Sequence, residues 1–256
     1  MTLRPSHVHP YLAPHHDGQF IAFAHRGGTK DLPENTVPAF RHAVDLGYQY
    51  LETDVQLTND GVLVAFHDND LFRTCGIKGL INEMTWKEVS QARVDDKEPI
   101  PLLTELLEEF PESFINIDSK SDPTVEPLIT ILKKFNALPR VCIGAFSHRR
   151  ISRFRNALGA EVCTSASPIE VTQWIAGLMP TAPSCFQVPI RQGPIRVVTQ
   201  RTLAAARSAG RPVHVWTINK AHHMQQLIDL GVNGLMTDQS TILKKVLTSN
   251  NLWVQK

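Results

Sequence analysis

The order of hydrophobic patterns in this 256-residue chain predicts an α/β fold, a (β/α)8 TIM barrel. Short apolar runs alternate with helical patterns along most of the chain, as βα repeats and a parallel sheet require. There are eight such runs. No low-complexity linker divides them, so residues 20–250 read as a single domain behind an N-terminal extension at 1–19. An open doubly wound sheet is the alternative arrangement of the same units.

The strands are expected at 20–24, 50–57, 114–119, 141–146, 161–165, 185–189, 212–218 and 234–237. Helices are expected at 36–46, 103–110, 123–135, 148–158, 168–178, 199–208, 221–230 and 240–247. Pro101 and Thr104 are the start signals of the second helix. Gly47, Gly159, Gly210 and Gly231 each stand just past a helical run, where a left-handed C-cap is expected. The gap at 62–101 is too long for a loop and reads as a small insertion after the second strand.

Composition narrows the function classes. The chain has 26 Lys plus Arg against 25 Asp plus Glu, a net charge of +1. That balance speaks against nucleic acid as a partner and gives no attraction to an anionic membrane. No run of about 18 apolar residues exists, so no stable membrane insertion is expected. The Pro- and His-rich start lacks the apolar core of a signal peptide, which makes a cytoplasmic location the expectation. Cys75, Cys142, Cys163 and Cys185 sit singly and far apart without CxxC spacing, and three fall in apolar runs. They read as buried free thiols rather than disulfides. Oligomeric state is not legible.

Strand parity points to the chemistry. In residues 51–57, Leu51, Val55 and Leu57 share one face, and Glu52, Asp54 and Gln56 share the other. In a barrel the apolar face meets the helices, so both carboxylates turn into the lumen. Residues 114–120 repeat the pattern, with Asn116, Asp118 and Lys120 on the polar face. Buried carboxylates are costly unless paired or bound to a cation. Oxygen ligands on neighbouring strands suit a hard divalent ion, Mg²⁺ or Ca²⁺. An internal ion-pair network with Lys120, Arg26 or Arg73 is the other way to satisfy them.

His25 ends the first strand, and His67 ends the short apolar run at 62–66. Barrel active sites form at strand C-terminal ends, and two histidines there could act as general acid and general base. His7, His9, His15, His16, His42, His222 and His223 read as surface or satisfied core residues. His148 and His214 stay undecided, His214 having lumen parity but no evident partner.

Taken in order, His25-Arg26-Gly27, Pro33-Glu34-Asn35-Thr36 with Ala39-Phe40, Glu52-Thr53-Asp54-Val55, Thr58-Asn59-Asp60-Gly61 and His67-Asp68 resemble the glycerophosphodiester phosphodiesterases. Ile100-Pro101-Leu102-Leu103, Ile117-Asp118-Ser119-Lys120, Val215-Trp216-Thr217-Ile218-Asn219 and Gly231-Val232-Asn233-Gly234 with Thr237-Asp238 continue the match, which spans about residues 21 to 247. The resemblance implies metal-dependent hydrolysis of a small-molecule glycerophosphodiester to an alcohol and sn-glycerol 3-phosphate. It implies that Glu52, Asp54 and Asp118 bind the metal, that His25 and His67 are the catalytic pair, that Arg26 and Lys120 hold the phosphate, and that Trp216 lines the pocket. Asn35 is expected to order its loop. The family usually has Glu where this chain has Asp118, a side chain shorter by about 1.5 Å.

A lysophospholipase D-like member of the same superfamily is the alternative enzyme. It would want an apolar mouth, to which Trp174, Leu178 and Met179 could contribute, although as helix residues they read first as core. A phosphate-binding barrel without catalysis would need neither histidine.

Overall fold

In the computed structural model, which describes residues 8–30 and 32–254, the eight runs become eight strands. They are β1 (Ile21–His25), β2 (Tyr50–Leu57), β3 (Phe114–Ser119), β4 (Val141–Gly144), β5 (Cys163–Thr164), β6 (Phe186–Val188), β7 (Val213–Val215) and β8 (Gly234–Thr237). The bounds of β2, β3 and β8 are those expected. β4 to β7 are shorter: Phe146 lies past the end of β4 and Trp216 past the end of β7, where both line the upper cavity.

Neighbours run β5-β4-β3-β2-β1-β8-β7-β6, all parallel. A parallel bridge between Ser165 and Cys185 joins the two ends, so the sheet closes as a barrel rather than staying open. The helices that flank the strands are α1 (Val37–Asp45), α2 (Leu103–Glu109), α3 (Val125–Lys134), α4 (His148–Leu158), α5 (Pro168–Ile175), α6 (Gln200–Ser208), α7 (Ala221–Leu230) and α8 (Ser240–Ser249). Side-chain oxygens of Thr36, Ser147 and Ser167 accept N–H bonds at three helix starts. Gly231 ends α7 at φ 92°, the left-handed cap expected. Gly159 departs from expectation: with φ 57° and ψ −130° it opens a 3-10 turn.

The outer strand faces meet the helices in two apolar clusters, one around Leu51, Phe40 and Leu243 and one around Val55, Ile117 and Leu128. A third cluster fills the lower lumen with Phe23, Tyr50, Cys142, Cys163, Cys185 and Met236. The chain before β1 covers this lower end with two short turns, Pro10–Leu12 and Ala13–His16. Tyr11 is fully buried there, edge-on to Tyr50 and Phe114 at ring-centroid distances of 5.1 and 5.8 Å. The Tyr50 hydroxyl donates to the Tyr11 carbonyl at 2.6 Å.

The insertion after β2 has its own small core of Val64, Phe66, Leu71, Ile81, Val89, Val94 and Ile100. It is pinned to the barrel by Leu63–Ala65, which pairs antiparallel with β2. His7 lies outside the described residues. His222 and His223 are exposed on α7, as expected. No helix among the described residues is long and apolar enough to cross a membrane.

Candidate active site

Registers along the sheet assemble one polar patch. His25 of β1 sits beside Glu52 of β2, and Glu52 and Asp54 sit beside Asn116 and Asp118 of β3. Lys120 follows on the same face. Together with Arg26 and His67 these residues line a cavity of about 570 Å³ at the C-terminal end of the strands. All eight residues singled out from sequence, Trp216 included, border this one cavity.

The carboxylates are both ion-paired and unequal in environment. Lys120 Nζ lies 2.6 Å from Asp54 Oδ1 and 2.7 Å from Asp118 Oδ2. Arg26 Nε lies 3.1 Å from Asp54 Oδ2, although its N–H is not aimed at that oxygen and makes no hydrogen bond. Burial would raise the Asp54 pKa, but Lys120 and Arg26 hold it below the ordinary value. Glu52 has weaker support, a 3.1 Å hydrogen bond from the Arg26 backbone N–H and His25 Nε2 at 3.7 Å. Burial and the neighbouring charge of Asp54 push its pKa up to about 7.

Asn35 takes a left-handed φ of 56°, which its short amide side chain tolerates. It accepts a bond from the Thr53 hydroxyl at 2.8 Å and donates to Asp54 at 3.2 Å. It thus orients Asp54 as well as ordering its loop.

Each histidine is held by an acid. His25 Nδ1 donates to Asp238 Oδ1 at 2.6 Å, which leaves Nε2 toward Glu52. Burial would lower the His25 pKa, but the charge of Glu52 and the Asp238 bond more than offset this and raise it. Asp238 is itself fixed by Asn219 Nδ2 at 2.7 Å. His67 Nδ1 donates to Asp68 at 2.5 Å. Arg73 bonds Asp68 and makes a bidentate pair with Glu34 at 2.6 and 2.9 Å. Glu34 also binds Arg26 at 3.0 Å, so one charge chain ties both histidine loops together.

Asp238, Asn219 and Asp68 were not singled out from sequence as site residues. The parity of β8 (Gly234, Met236, Asp238) was the available signal for Asp238. His148 bonds the Ser167 hydroxyl at 2.8 Å. His214 is fully buried against Phe23 with neither ring nitrogen bonded, and burial pushes its pKa down to about 3.

The opposite wall is apolar. Phe146, Pro168, Val171, Ile175, Ile195 and Val197 border it, and Trp216 meets Phe146 edge-on at 5.7 Å. Phe146 is 68% exposed. Trp174 is not part of this mouth: it stacks on Phe186 in the core and donates its indole N–H to the Thr202 carbonyl. Leu178 is exposed but does not border the cavity.

Glu52 and Asp54 offer hard oxygens, and the raised pKa of Glu52 marks a carboxylate short of positive charge, which a cation would supply. Asp118 is turned to Lys120, and the three carboxylates are not gathered within 4.8 Å of one another. The residues fit a hard cation, with Asp118 the outermost donor.

Residues 25–241 match the model of the glycerophosphoryl diester phosphodiesterase family. A probable glycerophosphodiester phosphodiesterase 2 of Mycobacterium tuberculosis is 36% identical over 249 residues, covering 93% of this chain and 94% of that protein. A human lysophospholipase D is 26% identical over 266 residues, covering 88% of this chain and 85% of its own length. An Oleispira antarctica phosphodiesterase, solved with the product sn-glycerol-3-phosphate, shares the fold with a TM-score of 0.77 at 21% identity, covering 91% of this chain and 99% of that one. The chain therefore belongs to the glycerophosphoryl diester phosphodiesterase family, enzymes that hydrolyse glycerophosphodiesters.

Proposed function

We propose that this protein hydrolyses glycerophosphodiesters to an alcohol and sn-glycerol 3-phosphate, with His25 and His67 as its acid–base pair and residues 20–250 as the catalytic unit. The observation that carries this reading is the matched support of the two imidazoles. Each gives its Nδ1–H to a carboxylate and keeps Nε2 for proton exchange at the same cavity. One imidazole takes the proton of the nucleophile, water or the adjacent glycerol hydroxyl. The other gives a proton to the departing alkoxide.

Arg26 and Lys120 hold the phosphate through charge-assisted hydrogen bonds that strengthen as charge grows on its oxygens. Glu52, Asp54 and Asp118 would hold a divalent cation, Mg²⁺ or Ca²⁺, whose charge offsets the repulsion between a phosphodiester and its attacker. Asp238 and Asp68 fix the tautomer and angle of the rings they bond. Trp216 forms the wall on which the glycerol or the leaving alcohol rests.

A second reading, a lysophospholipase D-like preference, is favoured by one feature, the apolar wall ending in exposed Phe146 and Ile195. An acyl chain would cover that wall, whereas a small headgroup would leave it wet. A panel of glycerophosphocholine and lysophosphatidylcholine with Mg²⁺, Ca²⁺ and EDTA tests both. We expect turnover of glycerophosphocholine that EDTA abolishes. A higher kcat/KM on lysophosphatidylcholine would move the assignment to the second reading. Hydrolysis of neither would remove both.

A further inference from the structure

Three cysteines that are scattered in sequence meet at the lower end of the barrel lumen, away from the carboxylates. Cys142 on β4, Cys163 on β5 and Cys185 just before β6 are fully buried free thiols, and their sulfurs lie within 4.8 Å of one another. Cys142 and Cys185 sulfurs stand 3.9 Å apart, far beyond a disulfide bond of about 2.05 Å. Two thiolates that share one Zn²⁺ at about 2.3 Å stand about 3.8 Å apart at a tetrahedral angle and about 4.0 Å apart at a trigonal one. The 3.9 Å spacing, a thiol–thiol contact as it stands, is one that two sulfurs sharing an ion also adopt.

A separate observation points the same way. The Tyr11 hydroxyl is fully buried, has no hydrogen-bond partner, and lies within electrostatic reach of all three sulfurs. Thiols are poor acceptors for it, whereas thiolates are charged ones. Sulfur donors select a soft or borderline ion and not the Mg²⁺ or Ca²⁺ suited to the carboxylates.

The place of the cluster gives it a purpose. β5 and β6 are the two ends of the sheet, joined by the single bridge between Ser165 and Cys185. Only two backbone hydrogen bonds, Ala166 N–H to the Cys185 carbonyl and Ser184 N–H to the Thr164 carbonyl, each 2.9 Å, cross this seam among the described residues. Cys163 stands on one side of the seam, Cys185 on the other, and Cys142 beside them on β4.

We propose that Cys142, Cys163 and Cys185 form a site for one thiophilic ion of the Zn²⁺ class, which clamps the seam where the barrel closes. On binding, three S–H bonds release their protons to solvent and three metal–sulfur bonds form, with no change of oxidation state. The complex with a divalent ion carries a net charge of −1, within electrostatic reach of the Tyr11 O–H.

Cd²⁺ is the probe, because thiolate-to-cadmium charge transfer in the ultraviolet reports sulfur ligation and is silent to carboxylates. The reduced full-length protein is refolded with increasing Cd²⁺. The band should saturate at one equivalent, be displaced by excess Zn²⁺, and bring a rise in Tm of about 5 °C or more when the ion exceeds its Kd 100-fold. Cys75→Ser should keep the band and Cys163→Ala should lose it. Absence of the band in folded wild-type protein at one equivalent overturns the proposal whatever the variants do. So does a band of full strength in folded Cys163→Ala.

Discussion

The two ends of the barrel lumen are built on the same strands with the same parity, yet they hold opposite chemistry. β2 presents Tyr50 below and Glu52 and Asp54 above, and β3 presents Phe114 below and Asp118 above. β1 presents Phe23 below and His25 above. The lower end is sealed by Tyr11 and packed with aromatic rings and thiols. The upper end is open, holds five charged side chains and two imidazoles, and leaves Glu52 poorly compensated. One period-2 pattern thus carries stability and chemistry at separate depths, as the fold's division into a structural bottom and a functional top requires. The difference teaches that a substitution acts according to its height on the strand more than its identity.

Breaking the upper end should cost rate. His25→Ala and His67→Ala should each lose about 10²–10⁴ in kcat, the usual worth of positioned proton transfer, with Tm little changed. Steady-state rates at saturating metal, paired with thermal melts, check this. Near-wild-type turnover in either variant would strip that residue of its role.

Breaking the lower end should cost stability. Tyr11→Ala removes a buried ring and should destabilise by about 3 kcal/mol or more, a fall in Tm of about 10 °C, while kcat/KM at a permissive temperature stays within about twofold. A loss of activity at full stability would mean that the two ends are coupled.

The charge imbalance of the upper end gives a pH test. Glu52 has its pKa pushed up to about 7 from 4.5, so its burial penalty is absent at acid pH and complete above about pH 7. His25, raised above 6.5, stabilises at acid pH and loses that contribution as pH rises through its folded value. Both signs agree: in EDTA, Tm should fall as pH rises from about 5 to 7.5. Glu52→Gln should remove much of that slope and raise the EDTA Tm at pH 7.5. Saturating Mg²⁺ or Ca²⁺ should flatten the wild-type slope, because the cation favours the ionised carboxylate. A Tm that rises over this range in EDTA would remove Glu52 as the uncompensated charge.

The smallest effect is expected outside both ends. His222→Ala and His223→Ala, on the exposed face of α7, should change Tm and kcat/KM within measurement error.

Most of the barrel was legible because its cues are local. Period-2 alternation at 50–57 and 114–119 fixes which side chains enter the lumen, and turn glycines punctuate the helices. The eight residues that border the cavity could be gathered from sequence because each lies at a strand's upper end with polar parity or in a motif of the matched family. What escaped was set by closure of the ring. Asp238 reaches His25 only because β8 returns beside β1, 213 residues away. The cysteine cluster joins β4, β5 and the seam, and no spacing rule announces such a trio. Trp174 is the core residue its helical phase predicts, whereas the apolar mouth is formed by Phe146, just past the end of β4, and Ile195, on a two-residue strand, segments too short to carry a period. Tyr11 gave no signal either, since a single aromatic in a Pro- and His-rich stretch reads as surface.

The Tyr11 plug also orders events in time. The residues around it are reached late in the chain: Tyr50 is 39 residues on, and Cys185 comes only with the sixth strand. A segment synthesised before all of its partners must stay undocked until six strands stand side by side, and contacts of such long range form late in folding. Its docking therefore belongs after the main barrier. Weakening it should leave the folding rate nearly unchanged and speed unfolding, so the segment sets how long a folded barrel lasts rather than how quickly one is made.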